Sequence, residues 1–373
     1  MSSVGGVAPE GRRGPRIALV FEGDPQKGGT WSGVPTGLIG GFEQQGCEVV
    51  PINAEVRGMG RVVDMVGMSW AQQAANPAFA WLCSAAASRR LKRAGRVDGA
   101  VAIGSGYSLS ASCPVATFED LTVAQALRQR EPVYEELSEA AARRWRNRQQ
   151  RNFERASACC VASRWAGDSV EQDYGIDPAK VRVVWFGINA DLSASQRDWS
   201  TPRFLWVGSD WQRKRGADVV SSFAEVRKAY PDATLDMVGA HPPIEAEGVT
   251  GHGRLPLGSE QGRREYRELL AKATCMVMPS VFEPFGIGYL DAAAAGVPSI
   301  GTTVGGAPDA VGDGGRVVDP SDAQALTTAM IELSDPDLAR RLGEIAVRRA
   351  PEFTWNEVAG RMLDALLPDW GTN

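Results

Sequence analysis

CMVMPSVFEPFGIGYLDAAAAGVPSIGTTVGG, residues 275–306, holds a whole strand–loop–helix–strand cycle in one stretch. Cys275–Met278 is an apolar run of strand length that Pro279 ends, and Ser299–Ile300 opens the next strand. The loop between them carries Glu283. A helix then begins near Gly286, where Gly286 and Gly288 flank Ile287 and leave little side-chain bulk. A bare helix start presents its backbone N–H groups to an anion or a hydroxyl. Asp291 lies eight residues beyond Glu283. If both were helical they would stand about 12 Å apart along the axis and roughly 80° apart around it, a reach that suits an extended ligand.

The same rhythm runs outward in both directions. Ile17–Phe21, Glu48–Ile52, Val97–Ile103, Val115–Phe118, Ala158–Ala162 and Val181–Val184 read as strands in the first half. Phe204–Val207 and Thr234–Val238 join Cys275–Met278 and Ser299–Ile300 in the second. Segments with apolar residues at helical spacing separate them, as Val219, Val220, Phe223 and Val226 show. Strands alternating with helices mean parallel sheets covered on both faces. The polar stretch GINADLSASQRDWST, 187–201, divides the chain almost in half and reads as a linker. Each half opens with a strand, a glycine-containing loop and a helix, which places helix N-termini at the carboxyl ends of strands. Ligands of open α/β sheets bind there. The expected architecture is therefore two Rossmann-like domains, with parallel sheets facing an interdomain cleft.

Composition narrows the function. The 373 residues carry a net charge of −5, which argues against a dedicated nucleic-acid binder. No apolar run approaches the roughly 20 residues of a membrane span, and the first 14 residues read as a disordered tail. A cytoplasmic location is expected. Six cysteines without CxxC spacing and only two histidines, His241 and His252, give no metal set and no disulfide framework. The sole Asp-x-Asp, Asp335-Pro336-Asp337, reads as a helix cap with proline in the first turn. No GxGxxG follows a strand and no GxxxxGK[ST] is present, so neither a dinucleotide nor a P-loop is indicated.

Two other loops suit an anion. Gln26–Gly33 (QKGGTWSG) precedes the first helix, with Gly29 able to approach a ligand closely and Pro35 in the first turn. Gly208–Gly216 (GSDWQRKRG) follows a strand and sets Arg213, Lys214 and Arg215 beside a helix start. Cations run against the dipole preference there, and an anionic ligand would account for them. The basic stretch Arg143–Arg148, with Arg151 beyond, reads first as a solvated helix face with one buried Trp. Peripheral contact with anionic lipid is the less favoured reading. Trp31, Trp70 and Trp81 are read first as core residues and only second as stacking surfaces for a ring.

Together these segments resemble retaining glycosyltransferases with two Rossmann-like domains: the GT-B fold, family 4-like, glycosyl transferases group 1. The resemblance rests on residues 161–189, 204–220, 251–260 and 275–320, with a looser match at GGTWSGVP and PVATFEDLT. It implies a first, acceptor-binding domain over 15–186 and a nucleotide-sugar domain over 202–352. FTWNEVAGRMLDAL would then belong to a terminal segment, 353–373, whose helix crosses back to the first domain.

The resemblance also assigns roles. Glu283 would hold hydroxyls of the donor sugar, and Asp291 the ribose, with one methylene less reach than the family's Glu. Lys214 would bind the diphosphate. Ser209 stands where the family has an Arg, with Arg213 or Arg215 as substitutes. Glu119, with Asp120 beside it, stands where the family has a cleft-edge His. These two would orient the acceptor or act as base. Gly29, Arg254, Phe285, Gly286, Ile287 and Gly305 complete the expected donor side, with Arg254 near the nucleobase. The implied activity is sugar transfer from a nucleotide-diphosphate sugar to a small-molecule, saccharide, glycolipid or natural-product acceptor. It proceeds with retention and without a metal or cofactor beyond the nucleotide sugar. A sugar-nucleotide epimerase and a degenerate donor-binding scaffold remain as alternatives.

Overall fold

The computed structural model describes residues 13–56, 58, 67–189 and 197–370. The expected tail over 1–14 lies outside the described residues except for Arg13 and Gly14, and the expected linker is described only at 187–189 and 197–201. The chain forms two compact units. One runs to Trp185 and resumes at Trp355; the other is Phe186–Thr354.

In the first unit β1 (Arg16–Phe21), β2 (Glu48–Asn53), β3 (Gly99–Ile103), β4 (Val115–Glu119), β5 (Ala158–Val161) and β6 (Val181–Val183) make one sheet in the order β2-β1-β3-β4-β5-β6. Every pairing is parallel. The four inner strands, β1, β3, β4 and β5, are buried along nearly their whole length, as a sheet covered on both faces requires, while the edge strands β2 and β6 are more accessible. On one face, helix Pro77–Arg93 sets Cys83, Ala87 and Leu91 against Ala18, Val20, Ala100 and Ala102.

The last helix, Trp355–Leu366, packs on helix Val34–Gln44 within this unit. Small residues make that approach possible. A Cβ at Gly37 would lie 2.2 Å from the Trp355 ring, and one at Gly41 would lie 2.1 Å from the Trp355 carbonyl oxygen. Arg361 stacks over the Trp185 ring at 4.7 Å and donates to the Val184 carbonyl at 3.2 Å, fixing the other end.

The second unit contains β7 (Arg203–Gly208), β8 (Thr234–Gly239), β9 (Val249–Gly253), β10 (Cys275–Val277), β11 (Ser299–Thr302) and β12 (Gly315–Val318). The order is β12-β11-β10-β7-β8-β9, parallel throughout. Strand order reverses between β7 and β10, and a doubly wound sheet binds ligands at such a switch point. Phe204, Trp206, Phe223, Leu235, Met237 and Ile300 fill the core. Both sheets are therefore Rossmann-like, as the alternating pattern implies.

Two strands escape the sequence reading. β9 (VTGHG) has two glycines and is mostly accessible, so it shows no apolar run. β12 is only four residues long. Glu283 is not helical: it lies in the loop before helix Ile287–Ala294, bridged to Gly305, so the helical separation worked out for Glu283 and Asp291 does not apply. Asp335 caps its helix by accepting from the Leu338 N–H at 2.7 Å, with Pro336 in the first turn, as read.

Candidate functional site

Adjacent parallel strands end side by side, so the loops after β7 and β10 meet although their residues are far apart in sequence. Lys214, from the first loop, donates through Nζ to Glu283 Oε2, from the second. Arg213 adds an Nη1 contact to the same carboxylate at 3.5 Å and donates to the Phe282 carbonyl at 3.0 Å. Ser280 Oγ donates to Glu283 at 3.1 Å. Both Lys214 and Glu283 are buried, and the charges answer to that. Burial raises the Glu283 carboxyl, but Lys214 and Arg213 outweigh it and hold it below the ordinary carboxylate value. Burial pulls the Lys214 ammonium below the ordinary lysine value against the opposing pull of Glu283. With two cations facing it, Glu283 is ionised at neutral pH.

The local sequence builds this geometry. Trp206, fully buried on β7, donates its indole N–H to the Lys214 carbonyl at 3.1 Å and packs edge-on to Trp211 at 5.5 Å. Lys214 N–H donates to the Asp210 carbonyl at 3.0 Å, which closes the turn. Arg215 sits in the left-handed region at φ 53° and pairs with Asp218 at 2.8 Å. Of the two substitutes considered for the missing cation, Arg213 therefore reaches Glu283 and Arg215 does not. Ser209 is exposed at the start of the same loop.

The Glu283 backbone is pinned from the other side. Its N–H donates to the Val304 carbonyl at 3.1 Å, and Gly306 N–H donates to the Glu283 carbonyl at 2.8 Å. Only glycine fits at 305, where φ is 99° and a Cβ would lie 2.1 Å from the Glu283 carbonyl oxygen. Gly286 caps helix Ile287–Ala294 at φ 92° with no side-chain cap, so the helix start beside Glu283 is bare backbone.

Other expected donor residues fall differently. Asp291 is buried within that helix and accepts from the Tyr266 hydroxyl at 3.3 Å. Phe285 is fully buried, edge-on to Phe186 at 5.6 Å and beside Phe353 at 6.3 Å. Its side chain belongs to the core, and only its backbone is left to serve a ligand. Ile287 is half-buried in the first turn. Arg254 is exposed directly after β9.

In the first unit, Gly29 (φ 84°) is exposed in open space at the turn before helix Val34–Gln44. Glu119 ends β4 and is buried, accepting from Gln149 Nε2 at 3.2 Å. Burial pushes its carboxyl up to about 8, against hydrogen bonds from Gln149 and Ser105. At neutral pH Glu119 is thus largely protonated and part of a core network, while Asp120 beside it is half-buried. Sequence reasoning missed three members of these arrangements: Ser280, Trp206 and Gln149. The signal for Trp206 was its place on a strand next to a basic turn. Gln149, on helix Glu139–Arg155, gave none.

Residues 201–335 match the family model described as Glycosyl transferases group 1. The chain is 31% identical over 212 residues to a glycogen synthase of Mycobacterium tuberculosis, covering 54% of this chain and 51% of that protein. It is 40% identical over 114 residues to a D-inositol 3-phosphate glycosyltransferase of Streptomyces coelicolor, covering 30% of this chain and 24% of that one. The chain thus spans about half, or less, of the length of these relatives. Among solved structures, a sucrose-phosphate synthase from Thermosynechococcus elongatus superposes with TM-score 0.68 at 18% identity, covering 96% of this chain and 100% of that one. WaaG, a glycosyltransferase involved in lipopolysaccharide biosynthesis, gives TM-score 0.64 at 16% identity, covering 94% of this chain and 99% of that one. At such identity these likenesses establish the fold.

Proposed function

We propose that the chain, whose residues 201–335 match the glycosyl transferases group 1 and whose fold is GT-B, transfers a sugar from a nucleotide-diphosphate sugar to an acceptor, with retention and without a metal. The observation that carries this reading is the Lys214–Glu283–Arg213 cluster at the switch point of the second sheet, beside the bare helix start at Gly286. Breaking the bond between the anomeric carbon and the diphosphate oxygen builds negative charge on the leaving group. A cation and aligned N–H groups stabilise that charge without reorganising, commonly the largest catalytic contribution.

In this mechanism the diphosphate takes Lys214 from Glu283, and the freed carboxylate accepts hydrogen bonds from sugar hydroxyls. Arg213 stays on the Phe282 carbonyl and keeps Glu283 ionised. The acceptor oxygen bonds to the anomeric carbon from the side the diphosphate leaves, and its proton passes to a departing phosphate oxygen. No protein nucleophile is then required. Glu119, protonated and hydrogen-bonded within its own unit, supports the protein's structure in this scheme, and the half-buried Asp120 beside it orients the acceptor. A cytoplasmic setting belongs to the same proposal.

The test is product analysis with intact sugar nucleotides and a panel of saccharide and polyol acceptors. Transfer with the donor's anomeric configuration kept, unaffected by EDTA, supports the reading. Conversion of the sugar with no transfer would replace it with epimerisation.

A further inference from the structure

Helix Pro77–Arg93, PAFAWLCSAAASRRLKR, contains no acidic residue. At about 100° per residue, Trp81, Leu82, Ala85, Arg89, Lys92 and Arg93 fall within one arc of roughly 120°. The residues that pack on the sheet, Cys83, Ala87 and Leu91, lie on the opposite side. The outward arc is therefore a single stripe, aromatic and aliphatic in its first half and basic in its second.

Exposure follows the same division. Trp81 is 67% exposed, the highest of the large hydrophobic residues exposed among the described residues, and Leu82 is 38% exposed. Arg89, Lys92 and Arg93 are exposed, and none joins an ion pair among the described residues. Arg90, at the edge of the stripe, is committed instead to the carbonyls of Asn53 and Glu55. Arg93 lines, with Arg90, a hollow that also holds Asp24 and Glu55.

A solvated helix face would carry polar residues at 81 and 82. The contrast with the basic helix Glu139–Arg155 is direct: its tryptophan, Trp145, is 3% exposed and hydrogen-bonded to Ser105, and its Arg148 is buried.

We propose that the outward stripe of helix Pro77–Arg93 docks the protein on an anionic lipid surface. Trp81 and Leu82 enter at headgroup depth while Arg89, Lys92 and Arg93 meet lipid phosphates. An amphipathic helix with an aromatic apolar part and a cationic part suits that interface. A neutral glucan would use the tryptophan but gain nothing from three exposed cations. The charge of the stripe therefore selects lipid over carbohydrate. The proposal is independent of the transfer reaction.

The test is vesicle flotation of the full chain with phosphatidylglycerol–phosphatidylcholine vesicles and with phosphatidylcholine alone, at 50 and 500 mM salt, beside co-sedimentation with glycogen. The expected result is flotation with the anionic vesicles only, lost at high salt. R89Q/K92Q/R93Q should lower partitioning on the order of a hundredfold, about fivefold for each cation. W81S/L82S should lower it too, and both variants should keep the wild-type unfolding temperature within about 2 °C because the changed side chains face solvent. Flotation that ignores lipid charge, persistence in both variants, or absence of binding at low salt would each overturn the proposal. Glycogen binding lost in W81S/L82S and kept in the cation variant would assign the stripe to carbohydrate instead.

Discussion

Replacing Lys214 by Met removes the ammonium from Glu283 and leaves the carboxylate buried with Arg213, at 3.5 Å, as its remaining cation among the described residues. The side chains of Lys214 and Glu283 are only 11% and 8% exposed, so water cannot take the place of the lost partner. Removing one member of a buried pair costs about 3–5 kcal/mol, because the surviving charge is left uncompensated. For a unit of this size that corresponds to a drop in unfolding temperature on the order of 10 °C. The double variant K214M/E283Q strands no carboxylate and leaves only Arg213, which still donates to the Phe282 carbonyl and is 20% exposed, so its loss should be about 2 kcal/mol smaller than that of K214M alone. Urea unfolding of wild type, both singles and the double, followed by tryptophan fluorescence, gives the coupling energy. A K214M cost below about 1 kcal/mol, or strict additivity, would refute the claim that this pair is buried and mutually dependent.

Further outcomes follow from the same geometry. Glu119 has its folded value raised by burial to about 8 from the ordinary 4.5, so between these values the folded state holds a proton that the unfolded chain has released. Stability of the first unit should therefore fall as pH rises across that window, by up to about 1.4 kcal/mol per pH unit. E119Q should flatten the dependence in urea melts at pH 5, 6, 7 and 8, and an unchanged slope would reject the assignment. G305A places a Cβ 2.1 Å from a backbone oxygen at φ 99°, so the Val304–Gly306 loop must shift away from Glu283. Diphosphate affinity should weaken at least tenfold by calorimetry, and unaltered affinity would separate that loop from the site. W206F removes the indole donor from the Lys214 carbonyl and leaves a buried acceptor unsatisfied, a loss of about 1–3 kcal/mol. Its catalytic readout is a lower kcat at nearly unchanged acceptor KM, and loss of stability with kinetics intact would make Trp206 a core residue only.

The fold is legible from local pattern wherever strands are apolar and longer than a few residues. GAVAI at β3 and RFLWVG at β7 announce themselves, whereas VTGHG and GRVV, with glycines or only four residues, do not. The Lys214 turn and the Gly286 helix start could be read because each is a local violation: cations at a helix start, and a helix start without bulk. That Lys214 and Glu283 touch across 69 residues could be expected only from topology, through the adjacency of β7 and β10 at the switch point. Phe285 looked like a loop residue turned to a ligand because its partners, Phe186 and Phe353, lie far off in the chain. Glu119 misled for the same reason, since Ser105 and Gln149 arrive from other segments to bury it. Trp81 ran the opposite way: expected in a core, it stands exposed on a helix whose inner face is already filled by small residues.

The central claim is tested most directly by thermal shifts with UDP, GDP, ADP, dTDP and CDP, and their glucose conjugates, on wild type and K214M, with and without magnesium. One base should win without metal. At 100 times its Kd it should stabilise the protein by about 2.7 kcal/mol, a rise of several degrees, and K214M should lose the response. No response to any diphosphate or sugar nucleotide, or one that K214M retains in full, would contradict a donor site built on Lys214 and Glu283.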